Sequence, residues 1–138
     1  MVGVLVLVGT LVLASAVGVT MKARDGRVRA TRESALPPEV AALVRPAGVT
    51  LVQLSTTFCA PCRHTRVLLS DLATRTDGLH HAELDLTERP DLARELSVLR
   101  TPTTIAVDGT GREILRVGGV PARDELLAAL RPHLGPSQ

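Results

Sequence analysis

Hydrophobic and polar positions alternate along this chain in three distinct regimes. Val2–Met21 is apolar or small throughout, without a charged residue before Lys22. Roughly 20 such residues are what a helix needs to cross a hydrocarbon core. A polar stretch from Lys22 to Ala35 follows and lacks helical periodicity, so it reads as a linker, with room for a short strand over Arg27–Thr31. From residue 36 onward short apolar runs alternate with amphipathic segments, which is the signature of one α/β domain. The expected division is therefore an anchor over 1–21, a basic linker over 22–35 and a folded domain over 36–138.

Within the domain the elements can be placed one by one. Pro37-Pro38 opens a helix through Val44, because proline is tolerated in a first turn. Val49–Leu54 is a branched, mostly apolar run suited to a strand buried on both faces. Leu68, Leu69, Leu72 and Ala73 repeat at helical spacing, and Asp77-Gly78 ends that helix. Ala82, Leu84 and Leu86 alternate with His81, Glu83 and Asp85 as a strand does. Thr87 is placed to cap a helix with Pro90 in its first turn. Thr103–Val107 and Glu113–Val117, joined by Asp108-Gly109-Thr110-Gly111, form a hairpin. A last helix starts at Pro121 and turns Leu126, Leu127, Leu130 and Leu134 toward the sheet. The order predicts a parallel βαβ unit followed by ββα, a mixed sheet of about four strands flanked by helices.

Charge changes the picture at the linker. Of sixteen basic and fourteen acidic residues, five basic and two acidic fall between Lys22 and Ala35, leaving the rest of the chain nearly balanced. The domain thus lacks the basic surface a nucleic-acid partner requires, and Phe58 is its sole aromatic residue for stacking on bases. Nucleic acid is excluded as a partner on these grounds. The absence of Lys or Arg before the apolar run, and its length, favour an anchor over a cleaved signal peptide, although Ala14-Ser15-Ala16 resembles a cleavage site. Basic residues beside a span tend to stay in the cytoplasm, which predicts a single-pass protein with a cytoplasmic domain. The same residues are placed to meet anionic headgroups.

Two cysteines occur, as Cys59-Ala60-Pro61-Cys62. If the preceding strand ends near Phe58, Cys59 caps the next helix, where unpaired amides and the helix dipole stabilise its thiolate. Cys62 lies one turn inside, within reach of a mixed disulfide on Cys59. A structural zinc site needs four ligands, and His64, His80, His81 and His133 are poorly placed to complete one. Covalent haem needs C-x-x-C-H, whereas Arg63 follows Cys62. A merely structural pair is the remaining alternative. No metal or cofactor is expected.

Phe58-Cys59-Ala60-Pro61-Cys62, Arg100-Thr101-Pro102-Thr103 and Val117-Gly118, in this order over residues 37–134, resemble the thioredoxin family. They align with its W-C-G-P-C motif, with Phe58 for the Trp and Ala60 for the Gly, with its cis-proline loop and with the valine–glycine before its last helix. The resemblance implies a thioredoxin fold, here behind the one transmembrane helix read from the apolar run, and thiol–disulfide exchange with protein clients through a Cys59–Cys62 dithiol and disulfide. It implies that Thr101-Pro102 is cis beside the cysteines, that the Thr101 backbone pairs with a client strand, and that Phe58 forms part of the substrate-facing rim. It further implies an unidentified electron donor or acceptor protein. Membrane-tethered relatives often face outward, an alternative to the cytoplasmic placement and one suited to envelope or cytochrome maturation; a redox-inert binding module is a third. Two departures stand out: Gln53 replaces the family's buried aspartate, and Glu83 occupies the place of the lysine that approaches it. This paired exchange predicts that Glu83, held by Gln53, supports proton transfer from Cys62.

Overall fold

A computed structural model of the chain describes residues 1–30 and 35–135. Helix α1 (Val2–Arg24) is followed by strand β1 (Val28–Ala30), a one-turn helix α2 (Pro38–Ala41), strand β2 (Val49–Ser55) and helix α3 (Ala60–Arg75). Strand β3 (Leu79–Asp85), helix α4 (Pro90–Glu95), strands β4 (Thr103–Asp108) and β5 (Glu113–Gly118), and helix α5 (Arg123–Leu130) complete the order, with a 3-10 turn over Arg131–His133. The strand expected over 27–31 is observed as β1, while Thr31 and residues 32–34 of the basic segment lie outside the described residues.

The five strands lie in the order β1-β5-β4-β2-β3. The pairing β2–β3 is parallel, and β2–β4, β4–β5 and β5–β1 are antiparallel. The sheet therefore has five strands rather than about four. The additional strand comes from the segment read as linker, because Val28-Arg29-Ala30 finds its hydrogen-bond partners on β5, Val117 to Leu115.

Every residue of β2 is buried, as its branched, mostly apolar character predicts. Alternation divides its side chains between two cores. Val49 and Leu51 pack with Leu69 and Leu72 of α3 and Leu126 and Leu130 of α5. Val52 and Leu54 pack on the opposite face with Val40, Leu92, Leu96 and Ile105. Each fully buried leucine or valine contributes roughly 1.5–3 kcal/mol relative to exposure, so this strand is the anchor of the fold. The close approach at its start requires glycine: Gly48 has φ +84°, and a Cβ there would collide with the Gly78 carbonyl oxygen.

Three local expectations shift. Helix α3 ends at Arg75 with Thr76, in extended backbone, as its C-cap, so Gly78 is not the cap expected of it. The helix expected from Pro37 to Val44 shrinks to one turn. Thr87 does not cap α4; Arg89 precedes that helix, and the Thr87 hydroxyl donates to Asp85. Helix α1 has no buried residue and remains a single apolar rod. It is long and apolar enough to cross a membrane, a test that a signal sequence also passes.

Candidate active site

The redox motif sits where β2 hands over to α3. Cys59 is the N-cap of α3, with φ −131° and ψ 97°, and its sulfur accepts a hydrogen bond from the Cys62 amide at 3.2 Å. The fold thus directs an otherwise orphaned helix-terminal amide at the Cys59 sulfur, the geometry that favours a thiolate. Pro61 stands in the first turn, where its missing N–H costs no helix hydrogen bond. Cys59 and Cys62 are joined as a disulfide. Cys59 is half-buried and Cys62 is 2 % exposed, so a visiting protein meets Cys59 first.

An open cleft of about 710 Å³ lies before the pair, lined among others by Phe58, Cys59, Cys62, Arg66 and Glu83. Phe58 is 97 % exposed at its rim, where its ring is free to meet a visiting chain. The Thr101-Pro102 peptide is cis, Pro102 is buried, and the Thr101 hydroxyl lies 3.4 Å from that of Thr56. Thr101 and Pro102 do not line the cleft themselves; the loop meets the site through Thr56, which does.

Beneath the cysteines the arrangement differs from the sequence expectation. Gln53 is fully buried, and its amide nitrogen donates to the Cys62 carbonyl at 2.8 Å. Its amide oxygen lies 3.2 Å from Nε2 of His81, and Nδ1 of His81 lies 3.0 Å from the Ser70 hydroxyl. The amide oxygen can only accept, which assigns the proton of neutral His81 to Nε2 and makes Nδ1 the acceptor from Ser70. Burial, its largest influence, holds the His81 pKa below the ordinary histidine value.

Glu83 is the register partner of Gln53 on β3, yet its carboxylate is held by other groups. It accepts from Ser55 Oγ at 2.6 Å and from Arg66 through Nε at 2.5 Å and Nη2 at 2.8 Å. The Arg66 hydrogen bonds are the first cause that holds its pKa below the usual carboxylate value, against a smaller opposing effect of burial. A carboxylate so paired is a weak base, and Gln53 is committed to Cys62 and His81. The residue the sequence reading missed is His81. Its signal was present, because alternation on β3 sets His81 on the same face as Glu83, and hence beside Gln53.

Residues 34–132 match the family model "Thioredoxin". The chain belongs to the thioredoxin family. It is 33 % identical over 88 residues to thioredoxin of Staphylococcus saprophyticus, an alignment covering 63 % of this chain and 84 % of that one. It is 34 % identical over 76 residues to thioredoxin H2 of Arabidopsis thaliana, where 55 % of this chain aligns with 56 %, little over half, of the relative. Among solved structures it is similar to oxidised mitochondrial thioredoxin 3 of Saccharomyces cerevisiae, with TM-score 0.58, 21 % identity, and coverage of 72 % and 92 % of the two chains. It is also similar to a mutant thioredoxin of Halobacterium salinarum, with TM-score 0.62, 22 % identity, and coverage of 78 % and 100 %. With the Cys59–Cys62 pair on this fold, the chain is a thiol–disulfide oxidoreductase. The relatives establish this much; they do not carry over a client.

Proposed function

We propose that this thioredoxin-family protein is a membrane-tethered reductase of protein disulfides, with its domain on the cytoplasmic side. The observation that carries the redox step is the accessible Cys59 sulfur at the tip of α3 with Cys62 shielded behind it. The Cys59 thiolate attacks one sulfur of a client disulfide, forming a mixed disulfide and releasing the other client sulfur as a thiolate. Cys62, deprotonated, then attacks the Cys59 sulfur. The client leaves as a dithiol after taking up two protons, and its two electrons have come from the cysteine pair, now a disulfide. A partner protein returns those electrons. Phe58 supports the apolar side of the client segment. Thr101 stands ahead of β4, outside the ladder, which suits its backbone to pairing with an extended client chain over Pro102.

Membrane tethering is supported by α1, exposed and without charge up to Met21, and by Lys22 and Arg24 in its last turn. The same basic residues favour the cytoplasmic side. In intact cells, a membrane-impermeant maleimide should therefore leave reduced Cys59 unlabelled until lysis. Labelling without lysis overturns the cytoplasmic placement and favours a role in envelope protein maturation.

Gln53 and Glu83 serve the cysteine pair in different ways, neither as the proton acceptor for Cys62. Gln53 fixes the Cys62 carbonyl and with it the first turn of α3. Glu83 holds the Arg66 guanidinium at the cleft, offsetting much of its positive charge. In Glu83→Gln the guanidinium is released toward the sulfurs, and a nearby cation favours a thiolate. The midpoint of the pH–rate profile for insulin reduction should then move to lower pH, by up to about one unit. Arg66→Gln should move it the other way. A midpoint that stays in place in both variants removes Glu83 and Arg66 from any influence on cysteine ionisation.

A further inference from the structure

The strand directions determine at which end of the sheet α1 joins the domain. Val28 of β1 is the register partner of Val117, Val117 of Thr104, Thr104 of Gln53, and Gln53 of Glu83. One row therefore crosses all five strands, and it is the row directly beneath the Cys59–Cys62 turn. Arg24, the last residue of α1, precedes this row by only four residues. The junction is tied down. The Gly26 amide donates to the Gly118 carbonyl at 2.8 Å, Asp25 is ion-paired with Arg100, and the Gly119 amide donates to the Pro102 carbonyl at 2.7 Å. Asp25 packs so closely on Gly119, at φ +87°, that a Cβ there would collide with its carboxylate. At a strand spacing near 4.8 Å, three steps separate β1 from β2 by roughly 14 Å within this end of the sheet. Ala47, ahead of β2, lies six residues below Gln53, roughly 20 Å toward the far end.

The surface at this junction is cationic. Arg24, Arg27, Arg29, Arg100 and Arg116 line a pocket of about 120 Å³ together with Leu99, which is 97 % exposed. Arg100 and Arg116 are paired with Asp25 and Glu113, whereas Arg24, Arg27 and Arg29 make no ion pair among the described residues. Such a group at the end of an apolar helix complements the negative charge of a lipid surface. No residue of α1 is buried, so the helix leaves the domain from this end rather than lying along it.

We propose that the domain stands on the bilayer with its redox end down, these arginines against anionic headgroups, so that the disulfides it reaches lie close to the membrane surface. This inference rests on α1 spanning the membrane.

The chain has no Trp or Tyr, so a single introduced tryptophan reports its own surroundings. The full chain carrying Leu99→Trp or Ala47→Trp is reconstituted into phosphatidylcholine vesicles, with and without phosphatidylserine, containing a headgroup-attached nitroxide quencher. Leu99→Trp should be quenched at least about threefold more strongly than Ala47→Trp, and the contrast should grow with phosphatidylserine. Equal quenching, or stronger quenching at residue 47, overturns the orientation while leaving the anchor intact. Failure of the protein to float with the vesicles overturns the anchor reading and this inference with it. A membrane-spanning reporter with its disulfide at the bilayer boundary should also be reduced faster than one raised about 30 Å on a helical spacer of some twenty residues. The reverse preference overturns the membrane-proximal client class.

Discussion

Cys62→Ser should stop turnover at the mixed disulfide, and Cys59→Ser should prevent that adduct from forming at all. The two cysteines occupy one helical turn but different environments. Cys59 receives the Cys62 amide at its sulfur and is half-buried at the cleft, whereas Cys62 is 2 % exposed beneath it. Attack on a client therefore belongs to Cys59, and release belongs to Cys62. Release within one helical turn has the advantage of an intramolecular reaction, for which effective molarities of about 10⁵ M and above are known. Once Cys62 is serine, resolution must await an external thiol, and insulin reduction should fall by roughly a thousandfold or more. Mass spectrometry of the Cys62→Ser chain incubated with a disulfide client should find the two covalently joined through Cys59. Turnover within about tenfold of the unaltered protein would assign resolution elsewhere. An adduct formed by Cys59→Ser but not by Cys62→Ser would exchange the two roles.

What could be read from the sequence, and what could not, follows from the range of the interactions involved. The Cys59 N-cap and the Pro61 in the first turn of α3 are set within a few residues of one another, so their spacing in the chain states their geometry. The central position of β2 is also legible, because only a strand covered on both faces tolerates Val49–Leu54 without a polar alternation. Strand β1 is a different matter. Three residues carry too little periodicity to separate a strand from a linker, and its stability derives from a partner strand almost ninety residues later in the chain. The Gln53–His81 contact falls in the same class. Register sets Gln53 beside Glu83, but the hydrogen bond runs to the residue two positions earlier on β3, because Arg66 and Ser55 have already engaged the carboxylate. The paired exchange of Gln53 and Glu83 indicated that polar groups had been rearranged beneath the cysteines. It did not indicate the diagonal, which depends on how α3 places Arg66 above β3.

Leu11→Arg combined with Leu13→Arg should release the chain from membranes while leaving its reductase activity nearly unchanged. Both positions fall near the middle of α1, where each arginine costs about 2.5–3.5 kcal/mol of insertion free energy, and where the favourable leucine contribution is lost as well. Together they oppose insertion by about 6 kcal/mol, a factor of roughly 10⁴ in partitioning. The domain should tolerate the change because no residue of α1 contributes to either hydrophobic core. Carbonate extraction separates the outcomes. The unaltered chain should remain with the membrane pellet, and the double variant should appear in the supernatant with insulin-reducing activity. A double variant retained in the pellet would show that another segment holds the protein to the bilayer. Intact mass then decides between the two uses of an apolar N-terminal helix: a membrane-bound chain that retains residues 1–21 is anchored by α1, whereas one lacking them has used α1 as a signal sequence. Since the Asp25–Arg100 ion pair and the Gly26–Gly118 hydrogen bond lie just beyond that helix, the junction at the redox end survives in either case, but only an uncleaved α1 can hold that end toward the membrane.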